Sequence, residues 1–198
     1  MQTKNKILNF FDTTISQYSS DDVYVVGWGS QESQHIRFKV LSDIADINNC
    51  SILDLGCGVG DLYPYLQMHH NGTQYHGIDF HPKMIKMARD KYPSASFDNI
   101  SIEDIDSKYD YVFVSGAFNL MIEDNYEYIQ NWIKKTYNVA KKGVAINLLS
   151  KYAPVDKKYN DLYYYDPLRV LDFCIKKYGK VCLKHDYLPH DFTIYLYK

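Results

Sequence analysis

The sequence predicts an α/β fold: a doubly wound, mostly parallel seven-stranded sheet with helices on both faces and an antiparallel last strand. From residue 51 onward, short apolar segments alternate with segments of helical periodicity. The apolar runs at 109–115 and 143–149 are continuous, as in parallel strands that are covered on both faces. Near the end of the chain, only Pro189-His190-Asp191 separates two strand-like segments, and such a tight connection makes an antiparallel pair.

Each element has its own signal. Apolar residues at helical spacing predict helices over 7–18 and 32–47, and the aromatic-rich segment 23–29 between them predicts a loop. We expect strands at 51–55, 74–79, 95–98, 109–115, 143–149, 180–188 and 192–198. Helices are expected at 61–69, 82–92 and 125–142, and a last helix begins at Pro167 and stops at Gly179.

Length and composition predict one domain, with residues 1–47 as a helical cover segment and 51–198 as the α/β core. A net charge of -2 without a basic cluster argues against a nucleic-acid partner. Apolar runs are too short to cross a membrane, and the N-terminus lacks the apolar block of a signal peptide. The 4 cysteines have no CxxC spacing, which predicts free thiols, a cytoplasmic location and no metal site.

The most informative segment is Ile52-Leu-Asp-Leu-Gly-Cys-Gly-Val-Gly-Asp61, in which a strand runs into a turn that contains Gly56, Gly58 and Gly60. Glycines at such a turn allow a ligand to lie against the backbone. The next predicted strand ends in Asp79, whose carboxylate can accept two hydrogen bonds from the vicinal hydroxyls of a ribose. Together, the turn and the acid predict a nucleoside cofactor.

The turn also indicates which nucleoside it binds. It is not the phosphate-binding sequence GxxxxGK[ST], and Asp61 stands where a dinucleotide fingerprint requires glycine. Carboxylates at Asp54 and Asp61 oppose a pyrophosphate and suit a cationic ligand, which favours S-adenosylmethionine. Asp61 could equally be a helix cap that is favourable to the helix dipole.

Several motifs resemble class I S-adenosylmethionine-dependent methyltransferases from about residue 30 to the end: LDLGCGVG, GIDFHPKMIKMA, YDYVFVSG and the closing strand pair. VGWGSQESQHIRF and DYLPHDFTIYLY are similar to a group of small bacterial methyltransferases. The resemblance implies a Rossmann-like fold, with S-adenosyl-L-methionine as cofactor. It places the ribose on Asp79, adenine on Asp98 and Asn99, and the methionine moiety on Ser115 and Gly116. The full expected cofactor-binding set is Asp54, Gly56, Gly58, Gly60, Asp79, Phe80, Asp98, Asn99, Ser115, Gly116, Trp28 and Arg37.

Two departures from related sequence patterns narrow the range of substrates and cofactors to be expected. The fourth strand leads into Gly116-Ala-Phe-Asn-Leu120 and not into the Asp/Asn-Pro-Pro-Tyr/Phe signature of methyltransferases that act on bases or glutamine. The fifth strand ends in Leu148-Leu-Ser150, where the metal-dependent catechol-type enzymes have Asp-Asn. The sequence thus favours neither a nucleic-acid substrate nor magnesium.

Acceptor residues are expected beyond the carboxyl ends of the strands, where open α/β sheets bind ligands. The candidates for substrate contact are Phe118, Asn119, Tyr152, Tyr164 and Tyr187. His190 and His185 are the candidate bases for an acceptor hydroxyl, although His190 could be an ordinary turn residue and His185 a structural one.

Two cover residues have alternative roles that the sequence leaves open. Arg37 could pair with the cofactor carboxylate or form a salt bridge on a helix surface. Trp28 could cover a ligand or pack in the core.

The leading hypothesis is a methyltransferase that acts on a small-molecule acceptor, on oxygen more than on nitrogen or carbon. Three alternatives stay open. One is a protein that binds S-adenosylmethionine as a sensor or partner subunit and does not transfer its methyl group. Another is an N-methyltransferase acting on a small molecule or macromolecule. The third is a nicotinamide or flavin oxidoreductase with an atypical turn. The oligomeric state is open.

Overall fold

The computed structural model of the chain describes residues 2–19, 23–27 and 29–198. Its helices are α1 (Gln2–Gln17), α2 (Gln31–Ser42), α3 (Leu62–His69), α4 (Pro82–Lys91), α5 (Asn125–Val139) and α6 (Pro167–Tyr178). Its strands are β1 (Ser51–Leu55), β2 (Gln74–Ile78), β3 (Ser96–Asp98), β4 (Tyr109–Ser115), β5 (Ala140–Leu149), β6 (Val181–Lys184) and β7 (Asp191–Tyr197). Short 3₁₀ helices form at Val23–Val26, Ile102–Asp104 and Val155–Lys157.

The strands form a 7-stranded sheet in the order β3-β2-β1-β4-β5-β7-β6. The pairs from β3 to β5 are parallel, and β7 runs antiparallel to both β5 and β6. The predicted fold class is therefore confirmed, including the reversed last strand. The register places Asp191, the first residue of β7, opposite Leu149, the last residue of β5. The turn before β7 consequently reaches the carboxyl edge of the parallel strands.

Apolar side chains fill both faces of the sheet because successive strand residues point in opposite directions. In β4, Val112 and Val114 face a core closed by α5 and α6. Tyr111 and Phe113 face a second core closed by α2, α3 and α4. A smaller cluster joins Val25 of the cover segment to the glycine turn and α4. No helix in the described ranges is both long and apolar enough to span a membrane.

Several predicted boundaries were wrong. Residues 140–142 were expected in a helix, but α5 ends at Val139 and β5 begins at once, because pairing of Ala140 with Tyr109 overrides the helical pattern. Helix α2 ends at Ser42, where the Asp43 N–H closes the last turn on the Lys39 carbonyl. The expected loop at 23–29 contains the 3₁₀ helix Val23–Val26. Strand β6 ends at Lys184, so the segment predicted to continue to 188 leaves the sheet.

Candidate active site

The glycine turn lies between β1 and α3 and is fixed to the end of β2. The N–H groups of Gly56 and Cys57 both donate to the Ile78 carbonyl, at 2.8 and 3.1 Å. Gly58 and Gly60 have φ values of +54° and +84°, in the left-handed region that favours glycine. The turn therefore depends on glycine for its backbone conformation.

The space around these glycines is occupied by the protein itself. A Cβ on Gly56 would lie 2.6 Å from the Ala117 Cβ, and one on Gly60 would lie 2.5 Å from the Phe97 ring. At Gly58, the neighbour is Val26 of the cover segment, 2.7 Å from the position of a Cβ. Close packing within the protein is thus a second reason for glycine, in addition to the ligand approach that the sequence suggested.

We expect Gly60→Ala to destabilise the fold more than Gly179→Ala does. Both positions have positive φ, +84° and +79°, and each substitution costs about 1–2 kcal/mol for that conformation. Only at Gly60 would the new methyl group overlap an aromatic ring, which adds about 1–3 kcal/mol. Urea denaturation of the two variants measures this difference directly. Equal losses would show that the Phe97 ring moves aside without cost.

Asp79 follows β2 and holds both the glycine turn and the start of α4. Its Oδ2 accepts the Gly58 N–H at 3.1 Å, and its Oδ1 accepts the His81 N–H at 2.8 Å. Burial raises the pKa of this carboxyl, partly offset by these backbone hydrogen bonds. Because each carboxylate oxygen has a second acceptor position, both can still bind a diol. The neighbouring Phe80 ring has the Lys4 ammonium 5.5 Å from its centroid.

Asp54 and Asp61 bring two more carboxyl groups to the turn, and these two groups have different hydrogen-bond partners. Asp54 is only 2 % exposed and accepts the Tyr75 hydroxyl at 2.7 Å. Burial raises the pKa of Asp54 to about 7, with Asp79 and Asp61 adding to the rise. Asp61 instead accepts the Lys91 ammonium at 2.8 Å and the Tyr92 hydroxyl at 2.9 Å. Asp61 occupies the N-cap position of α3, as the alternative interpretation expected, but in the described structure its side chain makes no hydrogen bond to the α3 backbone.

The remaining cofactor candidates lie at the carboxyl ends of β3 and β4. Asp98 Oδ2 lies 3.0 Å from His76 Nε2, and its Oδ1 lies 3.4 Å from Arg89 Nη2. Asn99 donates to the Asp79 carbonyl at 2.9 Å, which ties the ends of β2 and β3 together. Ser115 Oγ lies 3.4 Å from Asn147 Oδ1 of β5, and Gly116 follows it. Trp28 lies outside the described residues.

Arg37 forms a buried ion pair that neither of its expected roles anticipated. Its guanidinium pairs with Asp191, and Nη1 also lies 3.3 Å from Ser33 Oγ. The two side chains are 5% and 1% exposed, so the pair is in the interior and not on a helix surface. It joins α2 to the start of β7. The sequence missed Asp191 because only the β5–β7 register brings it opposite Leu149.

The two candidate bases meet at the end of β5. The His190 carbonyl accepts the Ser150 N–H at 2.9 Å, and His190 Nε2 lies 3.5 Å from Asp191 Oδ2. Burial lowers the pKa of His190; Asp191 opposes this effect, and Arg37 and Lys157 add to it. His185 Nε2 is 2.7 Å from Ser150 Oγ, and its ring stacks on Phe192.

The five substrate candidates surround this edge but differ in accessibility. Phe118 is 4% exposed and packs against Tyr128 and Trp132, while Asn119 Oδ1 accepts the Leu149 N–H at 3.1 Å. Tyr187 is hydrogen-bonded to Thr193 at 2.8 Å, and the Tyr164 hydroxyl accepts the Tyr159 N–H. Tyr152 is 56% exposed. The buried members shape the edge, and the exposed Tyr152 ring has the Lys151 ammonium 5.0 Å from its centroid.

Comparison with known proteins identifies the family. A sequence profile described as a methyltransferase domain matches residues 53–146. A candidate methyltransferase of Mycobacterium tuberculosis, Rv1506c, is 36% identical over 154 residues, which span 75% of this chain and 93% of that protein. The chain belongs to the class I S-adenosylmethionine-dependent methyltransferases.

Other methyltransferases support the assignment. Demethylmenaquinone methyltransferase of Chlorobaculum parvum is 27% identical over 194 residues, covering 96% of this chain and 79% of that enzyme. Magnesium protoporphyrin IX methyltransferase from Synechocystis, solved with bound S-adenosylmethionine, aligns with a TM-score of 0.62 at 17% identity. That alignment covers 84% of this chain and 79% of the Synechocystis chain, and it shows the shared fold. The predicted enzyme class and cofactor are confirmed.

The residues of this methyltransferase fit its cofactor. The positive-φ turn at Gly58 allows close approach, and Asp79 retains acceptor positions for a ribose diol. Asp54 and Asp79 supply negative potential for a ligand that carries an ammonium and a sulfonium. Across the described residues, no group of three or more His, Cys, Asp or Glu side chains could hold a metal ion.

Proposed function

We propose that this methyltransferase transfers a methyl group to an oxygen atom of a small-molecule acceptor, with His190 as the base. The observation that carries the proposal is the position of His190 at the carboxyl edge of the sheet, where its backbone carbonyl accepts the N–H of Ser150, the residue after β5. The cofactor supplies an electrophilic methyl group on a good leaving group. What the protein must add is alignment, exclusion of water and, for a weakly acidic hydroxyl, removal of a proton.

In this proposal, the cofactor lies across the ends of β1, β2, β3 and β4. Asp79 holds the ribose, Phe80 together with Asp98 and Asn99 contacts adenine, and the backbone of Ser115 and Gly116 lines the methionine moiety. The carboxylate of Asp54 contributes negative charge that favours the cationic cofactor. The support is that all of these residues lie at the carboxyl ends of adjacent parallel strands, as ligand contacts in open α/β sheets do. Arg37 acts indirectly, since its guanidinium holds Asp191.

The state of His190 supports its role as a base. Its pKa is lowered by burial, and the positive charges of Arg37 and Lys157 add to that effect. A lowered pKa keeps the imidazole neutral at neutral pH and able to accept a proton. Asp191, 3.5 Å from Nε2, can then stabilise the imidazolium. His185 is the second candidate, and its hydrogen bond to Ser150 favours a positioning role.

A small molecule is favoured as the acceptor by two of the similar enzymes. Tyr152, Tyr164 and Tyr187 come from the segments after β5 and β6, and we propose that they contact the acceptor. Phe118 and Asn119 form the wall behind it. Demethylmenaquinone and magnesium protoporphyrin IX, which name the acceptors of two similar enzymes, are both small molecules. The free cysteines support a cytoplasmic location. We also propose that residues 1–198 work as one domain.

The transfer can be tested with S-adenosylmethionine that carries a ¹³C-labelled methyl group. Purified enzyme is incubated with the small-molecule, RNA and protein fractions of a cell extract. We expect label in the small-molecule fraction with the chemical shift of an O-methyl carbon. Label in RNA or protein, or the shift of an N-methyl carbon, would contradict the proposal. Cofactor binding without labelled product in any fraction would indicate a binding protein without transferase activity.

We expect His190→Ala to lower kcat by about 100-fold or more, since general base catalysis is typically worth that much. The Kd for S-adenosylmethionine should change less than about twofold, because His190 lies on the acceptor side. His190→Gln should behave in the same way, and His69→Ala, an exposed histidine of α3, serves as the control. Turnover rates of the labelled reaction and calorimetric titration measure the two quantities. Wild-type values for both would make His190 a turn residue.

A further inference from the structure

We propose that the imidazole of His81 binds a ribose hydroxyl of S-adenosylmethionine, beside the Asp79 carboxylate. His81 lies inside the motif GIDFHPKMIKMA, from which no role was assigned to it, and it precedes Pro82 at the start of α4. The inference extends the cofactor site and does not depend on which acceptor the enzyme methylates.

The His81 ring is buried without a hydrogen-bond partner among the described residues. His81 is 2 % exposed. Both ring nitrogens are inaccessible to solvent, and neither has a hydrogen-bond partner among the described residues. Because buried polar atoms in folded proteins are nearly always hydrogen-bonded, an orphaned imidazole needs an explanation. A bound molecule that carries hydroxyl groups would satisfy it, since a neutral imidazole both donates and accepts.

His81 also lies next to Asp79, the acid that suits a ribose. The His81 N–H donates to Asp79 Oδ1 at 2.8 Å, while Asp79 Oδ2 accepts from Gly58 at 3.1 Å. These two contacts bring the backbones of His81 and the glycine turn together at the Asp79 carboxylate. A diol held by the carboxylate there lies within reach of a side chain two residues further along the chain.

The cover segment closes that space without satisfying the ring. Asp12 of α1 is the nearest carboxylate, with Oδ1 3.7 Å from His81 Nε2, which is beyond hydrogen-bonding distance. Asp12 is held by the Lys83 ammonium at 2.5 Å. Val26 packs over Gly58 at the other end of the same cover. The imidazole is therefore shielded from bulk solvent.

A purely local role does not account for these features. His81 occupies the N-cap position of α4, but its side chain makes no capping hydrogen bond to the described helix. A histidine that only capped the helix would direct a ring nitrogen at a backbone N–H of the first turn. A ring that only filled space would be replaceable by phenylalanine, and this difference provides the test.

The test compares His81→Phe with wild-type protein by calorimetry, using S-adenosylhomocysteine and 5′-methylthioadenosine with its 2′-deoxy and 3′-deoxy forms. We expect His81→Phe to weaken S-adenosylhomocysteine and 5′-methylthioadenosine by about fivefold or more. For one deoxy compound, the two proteins should bind equally, because the hydroxyl that His81 contacts is missing. His69→Phe, at an exposed position, should match wild type with every ligand.

Two results would overturn the proposal. One is unchanged affinity of His81→Phe for S-adenosylhomocysteine. The other is the same loss for all four ligands, which would assign His81 to the cover and not to the ribose. If His81→Phe does not fold, ¹⁵N-labelled histidine in the wild-type protein gives the answer. Saturating S-adenosylhomocysteine must shift the His81 ring signals, identified with His81→Gln, and unshifted signals would refute the contact. Binding without methyl transfer would contradict the acceptor proposal alone.

Discussion

Replacement of Asp79 by alanine is expected to weaken S-adenosylmethionine binding by tenfold or more, equivalent to about 1.4 kcal/mol or above. Two effects combine. The variant loses the acceptor for a ribose diol, and it leaves the N–H groups of Gly58 and His81 without their present partner. The turn that receives the cofactor is then less well fixed. Calorimetric titration of the purified variant measures the loss.

The comparison with S-adenosylhomocysteine makes this prediction specific. Both ligands carry the same ribose, so Asp79→Ala should weaken them by similar factors. Asp79→Asn should also bind weakly, because its amide NH₂ would face a backbone N–H where the carboxylate now accepts. Asp90→Ala removes an exposed aspartate of α4 and should leave affinity unchanged. Wild-type affinity in Asp79→Ala would refute the assignment of the ribose to the end of β2.

The fold could be predicted because local pattern and global topology agree. Continuous apolar strands such as β4 required cover on both faces, and the predicted link 189–191 between the last two strands required an antiparallel pair. The observed link is longer because β6 ends at Lys184. Boundaries failed where tertiary contacts outweigh local preference. At Ala140, strand pairing begins while the sequence still has a helical pattern, and at Lys184, the edge strand loses its partner.

The site could be predicted only as far as the chain itself brings its residues together. The turn and Asp79 follow consecutive strands, so their proximity was readable from topology. Arg37 and Asp191 are distant in sequence and meet only through the packing of α2 against the sheet. Asp61 was assigned to the ligand or to a cap, but its contacts with Lys91 and Tyr92 depend on how α4 lies against α3. Side-chain pairing of this kind leaves no periodic signal.

Asp54 shows how cofactor affinity and stability oppose each other at this site. The carboxyl is buried beside Asp79 and Asp61, and its pKa is raised to about 7. Compared with an ordinary value of 3.8, ionisation of this group in the folded protein costs about 4 kcal/mol. A cationic ligand relieves that cost because it favours the charged form. The empty enzyme is thus destabilised by a group that suits its cofactor.

The sign of the pH dependence follows from the two pKa values. Between about pH 4 and pH 7, the folded protein retains a proton on Asp54 that the unfolded chain has lost. Stability contributed by this group therefore falls as pH rises through that window, and the full penalty applies above pH 7. Binding of S-adenosylmethionine to the wild-type enzyme should accordingly release a proton below pH 7.

We expect Asp54→Asn to stabilise the cofactor-free enzyme at pH 8 by about 2 kcal/mol more than it does at pH 5, because only the carboxylate carries the penalty. Asparagine can still accept the Tyr75 hydroxyl, so the pH-independent effect of the substitution cancels in the comparison. Urea denaturation at the two pH values gives the difference, and Tyr75→Phe controls for loss of the hydrogen bond alone. In the same variant, the affinity for S-adenosylmethionine should rise less between pH 6 and pH 8 than the wild-type affinity does, because the Asp54 contribution is gone. A stability gain that is equal at both pH values would mean that Asp54 titrates as an ordinary carboxyl.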